Sequence, residues 1–246
     1  MRGFRAGTVV HRQVWAPGLV TIRVEADTEP LVPGQFYNLA LPVNDSWVRR
    51  AYSAASAPGA ALEFLVTRVE DGDLTPQLTE LPVGAPIWVD PHPHGHFTLA
   101  EVPEVPDLWL CATGTGLAPF LSMLRTPEPF ARFARVVLVH GVRDGAHLVY
   151  ADELDALSRE HAGQFVRVPV VSRADAPGAL RGRITERFAD GAIERRAGAS
   201  LTPARAHVLL CGNPAMIDEM MALLAARGLR RHRPRSPGHV TFERYW

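Results

Sequence analysis

The 246-residue sequence contains no lysine. All 26 basic residues are arginines, matched by 26 acidic residues for a net charge of zero. That balance excludes the uniformly charged chains that bind nucleic acid or anionic membranes through bulk charge. It also makes every cation a planar fork suited to phosphate and carboxylate groups. Cysteine is nearly absent: Cys111 and Cys211 stand alone with no CxxC, so neither a disulfide framework nor a zinc site fits. There is no CxxxxCxxC set for a built-in iron–sulfur centre. Apolar runs stay short of the ~18 residues that span a bilayer. The opening "MRGFRAGTVVHRQ" has charges where a secretory signal has its apolar core. The expectation is a soluble, cytoplasmic protein with no metal, no membrane segment and no nucleic-acid partner.

What is present is a globular composition, 47% hydrophobic and 21% charged, in a length that suits one large domain or two ordinary ones. Charge is uneven: residues 1–101 carry 7 arginines and 11 acids (−4), residues 102–246 carry 19 and 15 (+4). The first part alternates. "LVTIRVEA" sets Val20, Ile22 and Val24 against Thr21, Arg23 and Glu25, the mark of a half-buried strand. "QFYNLAL", "WVRRAYSAAS", "LEFLVTRV" and "APIWVD" follow between Gly/Pro breaks, with one short helical stretch, "TPQLTEL". This pattern predicts a small antiparallel β-barrel over residues 1–101. After "LAEVPEVPD" the rhythm changes. Apolar runs such as "LWLCAT", "ARVVLVHGV", "FVRVPVVS" and "AHVLLCG" alternate with helical segments, as in "PAMIDEMMALLAARG", where Met216, Ile217, Met220, Leu223 and Leu224 share a face. Residues 102–246 therefore read as a doubly wound α/β domain with a parallel sheet.

Six features carry chemistry. "RAYS" puts Arg50 and Tyr52 on one strand face, a cation beside an aromatic ring. "GDLT" (Gly72–Thr75) opens the short helix as an anion seat, or as an ordinary helix start with Pro76 in the first turn. "ATGTGLAP" joins a buried strand to a helix with glycines that admit a pyrophosphate, although Ala118 and Pro119 replace the last glycine of GxGxxG. "CGNP" places Cys211 at a strand end facing a ligand crevice, or as a buried structural thiol. Arg143, Arg173 and Arg183 follow strand ends and either converge on a phosphate or are solvated, as Arg181 is expected to be. Finally, "ERYW" ends the sequence on two aromatics, which expose apolar area unless something covers them.

In this order the motifs resemble the ferredoxin–NADP reductase family, specifically the short bacterial ferredoxin/flavodoxin reductases, over essentially the whole sequence. The resemblance implies an FAD-dependent oxidoreductase. It passes electrons between NADPH and a one-electron carrier, ferredoxin or flavodoxin, by hydride transfer to flavin N5 and then single-electron steps. By the same resemblance, Arg50 holds the FAD pyrophosphate, Tyr52 stacks on the isoalloxazine, and Ser53 hydrogen-bonds near N5. Gly72, Leu74 and Thr75 seat the FAD phosphates. Asp73 puts an acid in that turn, which charge repulsion disfavours unless the side chain faces solvent. Thr115 and Gly116 lie under the nicotinamide and pyrophosphate of NADP(H). Arg173 and Arg183 clasp its 2′-phosphate, with Ser172 beside them and Arg143 helping. Cys211 approaches the nicotinamide. Tyr245 covers the flavin face opposite Tyr52 and swings aside for NADPH, while Trp246 stacks on the adenine. Ser53, Cys211, Tyr245 and Glu243 form the catalytic set, Glu243 as a proton or polarity partner. A monomer is expected.

Two segments remain. "HPHGH" spaces His92, His94 and His96 at period two, a metal-like pattern that the interleaved prolines turn into a loop. "RGLRRHRPR" gathers Arg227, Arg230, Arg231, Arg233 and Arg235, a docking patch for an acidic ferredoxin or flavodoxin or else a solvated loop. The same fold would also serve a free-flavin or quinone reductase, or the electron-input subunit of a larger enzyme. A flavin-binding module without catalysis would have no need of the GTGxxP, VVSR and CGNP set.

Overall fold

The strands of the first sheet form where short β-branched and aromatic runs are cut by Gly/Pro turns. They are β1 (Arg5–Ala16), β2 (Leu19–Glu25), β3 (Phe36–Val43), β4 (Ser46–Ser53), β5 (Leu62–Thr67) and β6 (Pro86–Val89). Their order is β4-β3-β6-β1-β2-β5, antiparallel throughout. A bridge between Ala54 and Phe64 joins the end of β4 to β5 and closes the sheet toward a barrel. A one-turn helix, α1 (Thr75–Leu78), lies between β5 and β6. The computed structural model describes residues 2–245; Trp246, expected on an adenine, lies outside the described residues.

Val20, Ile22 and Val24 point into the barrel core with Leu39, Leu41 and Phe64. Thr21, expected on the outer face, is buried as well, where its hydroxyl accepts the Trp15 indole N–H at 2.8 Å. Across that strand Arg23 bonds Glu63 at 2.6 Å, and Arg125 reaches the other Glu63 oxygen at 2.8 Å. Glu63 thus sits buried between two guanidinium groups.

The second sheet is parallel, in the order β10-β9-β8-β7-β11-β12, with β7 (Asp107–Thr113), β8 (Arg135–Val142), β9 (Phe165–Val171), β10 (Leu180–Arg181), β11 (Ala206–Gly212) and β12 (Val240–Arg244). Every residue of β11 is buried, as expected for a strand covered on both faces. The helices are α2 (Ala118–Leu124), α3 (Glu128–Arg132), α4 (Ala151–Glu160), α5 (Ile184–Ala189), α6 (Ala192–Ala197) and α7 (Pro214–Ala226). Met216, Ile217, Met220 and Leu224 of α7 join Ile184, Phe188 and Ile193 against the sheet core. Asn213 caps α7 by accepting the Ala215 N–H at 2.8 Å, with Pro214 in the first turn.

Two compact units result. One runs to Leu99 and also includes Ala118–Thr126; the other holds Ala100–Leu117 and the chain from Pro127 onward. Residues that directly follow the GTG loop in sequence therefore belong to the barrel unit.

Candidate functional site

In the barrel unit, Arg50 stands opposite Leu39 and Tyr52 opposite Tyr37, so both share the face of two buried residues. Tyr52 is half-buried against the barrel core. Burial pushes its phenol up to about 12, against the opposing pull of the Arg50 cation, so it stays protonated at neutral pH. Ser53 is buried. The Arg50 guanidinium donates from Nη2 to Asp73 Oδ2 at 2.7 Å and from Nη1 to the Arg49 carbonyl at 2.8 Å. Asp73 thus does not simply face solvent; it links the RAYS strand to the GDLT turn.

That turn is preformed. The Thr75 hydroxyl accepts the Val69 N–H at 2.9 Å and donates to the Val69 carbonyl at 3.3 Å, while the Gly72 N–H reaches the same carbonyl at 3.0 Å. Thr75 is the first residue of α1, and Leu74, with its side chain in the core, occupies the cap position. The Thr75 hydroxyl is engaged in closing the loop. What the turn can offer an anion is backbone.

In the α/β unit, the strand ends line up. The Ser172 N–H bonds the Val142 carbonyl at 3.0 Å, Arg173 N–H the Arg143 carbonyl at 2.9 Å, and Gly182 N–H the Val171 carbonyl at 2.9 Å. Residues 143, 172–173 and 182–183 therefore run side by side along the carboxyl edge of β8, β9 and β10. Arg143, Arg173 and Arg183 are exposed, and among the described residues their side chains have no hydrogen-bond or ion-pair partner. Arg181, by contrast, pairs with Asp175 at 2.9 Å. Three unpaired guanidiniums at strand ends are a donor set that fits a phosphate.

On the other side of β8, the GTG and CGNP loops interlock. The Asn213 N–H bonds Thr113 Oγ1 at 2.8 Å. A Cβ on Gly116 would lie 2.5 Å from the Cys211 carbonyl oxygen, and one on Gly212 (φ +127°) would collide with Thr113 Oγ1, so only glycine permits this approach. Thr115 is nearly buried. His140, a lone histidine in the apolar run of β8 and not singled out from the sequence, lies with Nε2 3.0 Å from the Gly114 carbonyl. Burial holds its imidazole down to about 4, so it is neutral and donates to that oxygen.

The structure brings Cys211, Glu243 and Tyr245 together. Cys211 and Glu243 are opposite each other in β11 and β12, and the Tyr245 N–H bonds the Gly212 carbonyl at 3.0 Å. The Cys211 thiol is fully buried, with the Tyr245 side chain beside it. Burial first, and then the Glu243 charge, push it well above its ordinary value. It is a neutral thiol and no thiolate nucleophile.

The arginine cluster divides. Arg227 bonds Glu194 at 2.6 Å and the Phe188 carbonyl at 2.9 Å, tying the end of α7 to α5 and α6. The Arg231 guanidinium lies 4.4 Å from the Phe242 ring centroid. Arg230, Arg233 and Arg235 are exposed. His92 pairs with Glu29 and His94 with Asp90, each at 2.9 Å. Among the described residues no group of three or more His, Cys, Asp or Glu side chains is arranged for a metal, and no helix is long and apolar enough to cross a membrane.

Residues 19–99 match the oxidoreductase FAD-binding domain family, and residues 110–221 match the oxidoreductase NAD-binding domain family. The flavodoxin/ferredoxin–NADP reductase of Escherichia coli (strain K12) is 38% identical over 248 residues, spanning 100% of both chains. The ferredoxin–NADP reductase of Pseudomonas aeruginosa is 34% identical over 221 residues, 86% of this chain and 85% of its own. A solved ferredoxin NADP+ reductase from Neisseria gonorrhoeae, with bound FAD and NADP, is similar with a TM-score of 0.94 and 32% identity over 100% of both chains.

Proposed function

The chain belongs to the flavodoxin/ferredoxin–NADP reductase family, and from that premise we propose that it carries electrons between NADPH and ferredoxin or flavodoxin, as a monomer, with FAD as its cofactor. The observation that supports NADPH most directly is the row of unpaired Arg143, Arg173 and Arg183 at the strand ends, with Ser172 among them. Arg50, Tyr52, Ser53 and the backbone of Gly72, Leu74 and Thr75 would hold FAD; Thr115 and Gly116 would lie along the dinucleotide. FAD held there would supply hydride acceptance from NADPH together with release of single electrons, which nicotinamide does poorly. The protonated Tyr52 phenol and the buried neutral Cys211 thiol add no charge to their surroundings. Glu243 stands opposite Cys211 in the neighbouring strand, and its charge disfavours a thiolate there.

Tyr245 stands beside Cys211, and on this reading a nicotinamide ring that contacts the thiol displaces the phenol. Tyr245→Ser is expected to tighten NADP binding roughly 2- to 13-fold, the size of one aromatic packing interaction. Turnover should slow as product release becomes limiting. Titration with NADP and steady-state kinetics check this; an unchanged dissociation constant would remove Tyr245 from the nicotinamide site.

Carrier docking falls to Arg230, Arg231, Arg233 and Arg235. FAD-loaded protein should reduce ferredoxin or flavodoxin with NADPH at a rate that declines as salt rises. Replacing Arg230, Arg233 and Arg235 by serine should slow carrier reduction several-fold while NADPH-to-ferricyanide turnover persists. A salt-independent carrier rate would exclude the patch. Failure to reduce either carrier would overturn the proposed function.

A further inference from the structure

The Arg50–Asp73 ion pair joins the two elements assigned to the FAD phosphates. Arg50 has one side-chain nitrogen on Asp73 Oδ2 at 2.7 Å and another on the Arg49 carbonyl at 2.8 Å. A pyrophosphate is held best by two parallel N–H bonds from one guanidinium fork. The Asp73 carboxylate already occupies one arm of that fork. The loop that carries it is fixed independently of Arg50, by the two Thr75–Val69 bonds and the Gly72–Val69 bond. The acid is therefore presented to Arg50 by a closed turn and does not arrive there by side-chain wandering. Both partners are more than half exposed, at 55% and 63%, so the pair is weak enough for a ligand to displace.

We infer that Asp73 is an internal competitor of FAD: it holds Arg50 when the cofactor is away and weakens cofactor retention by competing with the pyrophosphate for that guanidinium. This inference rests on the assignment of Arg50 to the FAD pyrophosphate. Asp73→Asn keeps the size of the side chain and removes its charge, so the holoenzyme should retain FAD more tightly by about 3- to 10-fold. The gain should shrink as salt screens the pair.

The experiment is dilution of the FAD-loaded protein with flavin fluorescence as the readout, which yields the FAD dissociation constant without any turnover. Four proteins are compared: the parent, Asp73→Asn, Arg50→Gln and the double variant. Expected are tighter FAD in Asp73→Asn, looser FAD in Arg50→Gln, and little further effect of Asp73→Asn once Arg50 is gone. Looser or unchanged FAD in Asp73→Asn overturns the inference, since a merely positioning or solvent-facing acid would behave that way. An equal gain with and without Arg50 also overturns it, because the acid would then act directly on the cofactor. Unchanged retention in Arg50→Gln alone refutes instead the assignment of Arg50, and so separates the two failures.

Discussion

Arg173→Ala and Arg183→Ala are each expected to weaken NADPH binding roughly 10- to 150-fold, with NADH almost unaffected. One charge-assisted hydrogen bond contributes about 1.5–3 kcal/mol, and 1.4 kcal/mol is a factor of ten. NADH has no 2′-phosphate to lose. Among the described residues these side chains are exposed and have no hydrogen-bond or ion-pair partner, so neither substitution removes such a bond, and the melting temperature should stay where it is. Arg181→Ala is the control, since that guanidinium is already paired with Asp175. Dissociation constants for both nicotinamides, measured side by side, decide the matter. Equal losses with NADPH and NADH would make these arginines structural.

Glu63→Gln is expected to destabilise the FAD-loaded protein by about 3–5 kcal/mol, the range for removing one partner of a buried ion pair. Glu63 is 3% exposed and Arg125 only 16%, so the Arg125 cation loses its charge partner where water cannot replace it. Arg23 is 49% exposed on the same carboxylate. Arg23→Ala should therefore change stability by no more than about 1 kcal/mol. Urea unfolding at constant FAD concentration measures both. Similar small losses for the two variants would show that Glu63 is solvated in solution.

Much of this was legible in the residues. β7, β8, β9 and β11 were readable because strands buried on both faces are apolar at nearly every position. The alignment of Arg143 with Arg173 followed from their places just after such strands. β1 was not readable: Arg5, His11, Arg12 and Gln13 interrupt its apolar positions, and pairing on both edges, to β2 and β6, holds it extended anyway. The Arg50–Asp73 pair joins residues 23 apart, and the Arg227–Glu194 pair residues 33 apart, so neither leaves a local signal. Of the two readings of the GDLT turn, an anion seat or an ordinary helix start, neither showed that the Thr75 hydroxyl bonds the Val69 backbone six residues away. The grouping of Ala118–Thr126 with the barrel was hidden for the opposite reason: in sequence these residues continue the GTG loop of the other unit.

That grouping bears on how such a protein can be recombined. A gene exchange that cuts once, at the junction after Leu99, would carry off a barrel without α2. It would leave behind Arg125, which donates to the Ala55 carbonyl as well as to Glu63, and Ser122, whose hydroxyl holds the Ser56 carbonyl at 2.6 Å. Phe120, which packs its ring on Phe97, would go the same way. The donor barrel would arrive with a buried acid and an open apolar face, and the recipient would bring a helix shaped for another barrel. Modular swapping of the two units is therefore tolerated only between parents whose α2 sequences match, or by two crossovers that move α2 together with its barrel.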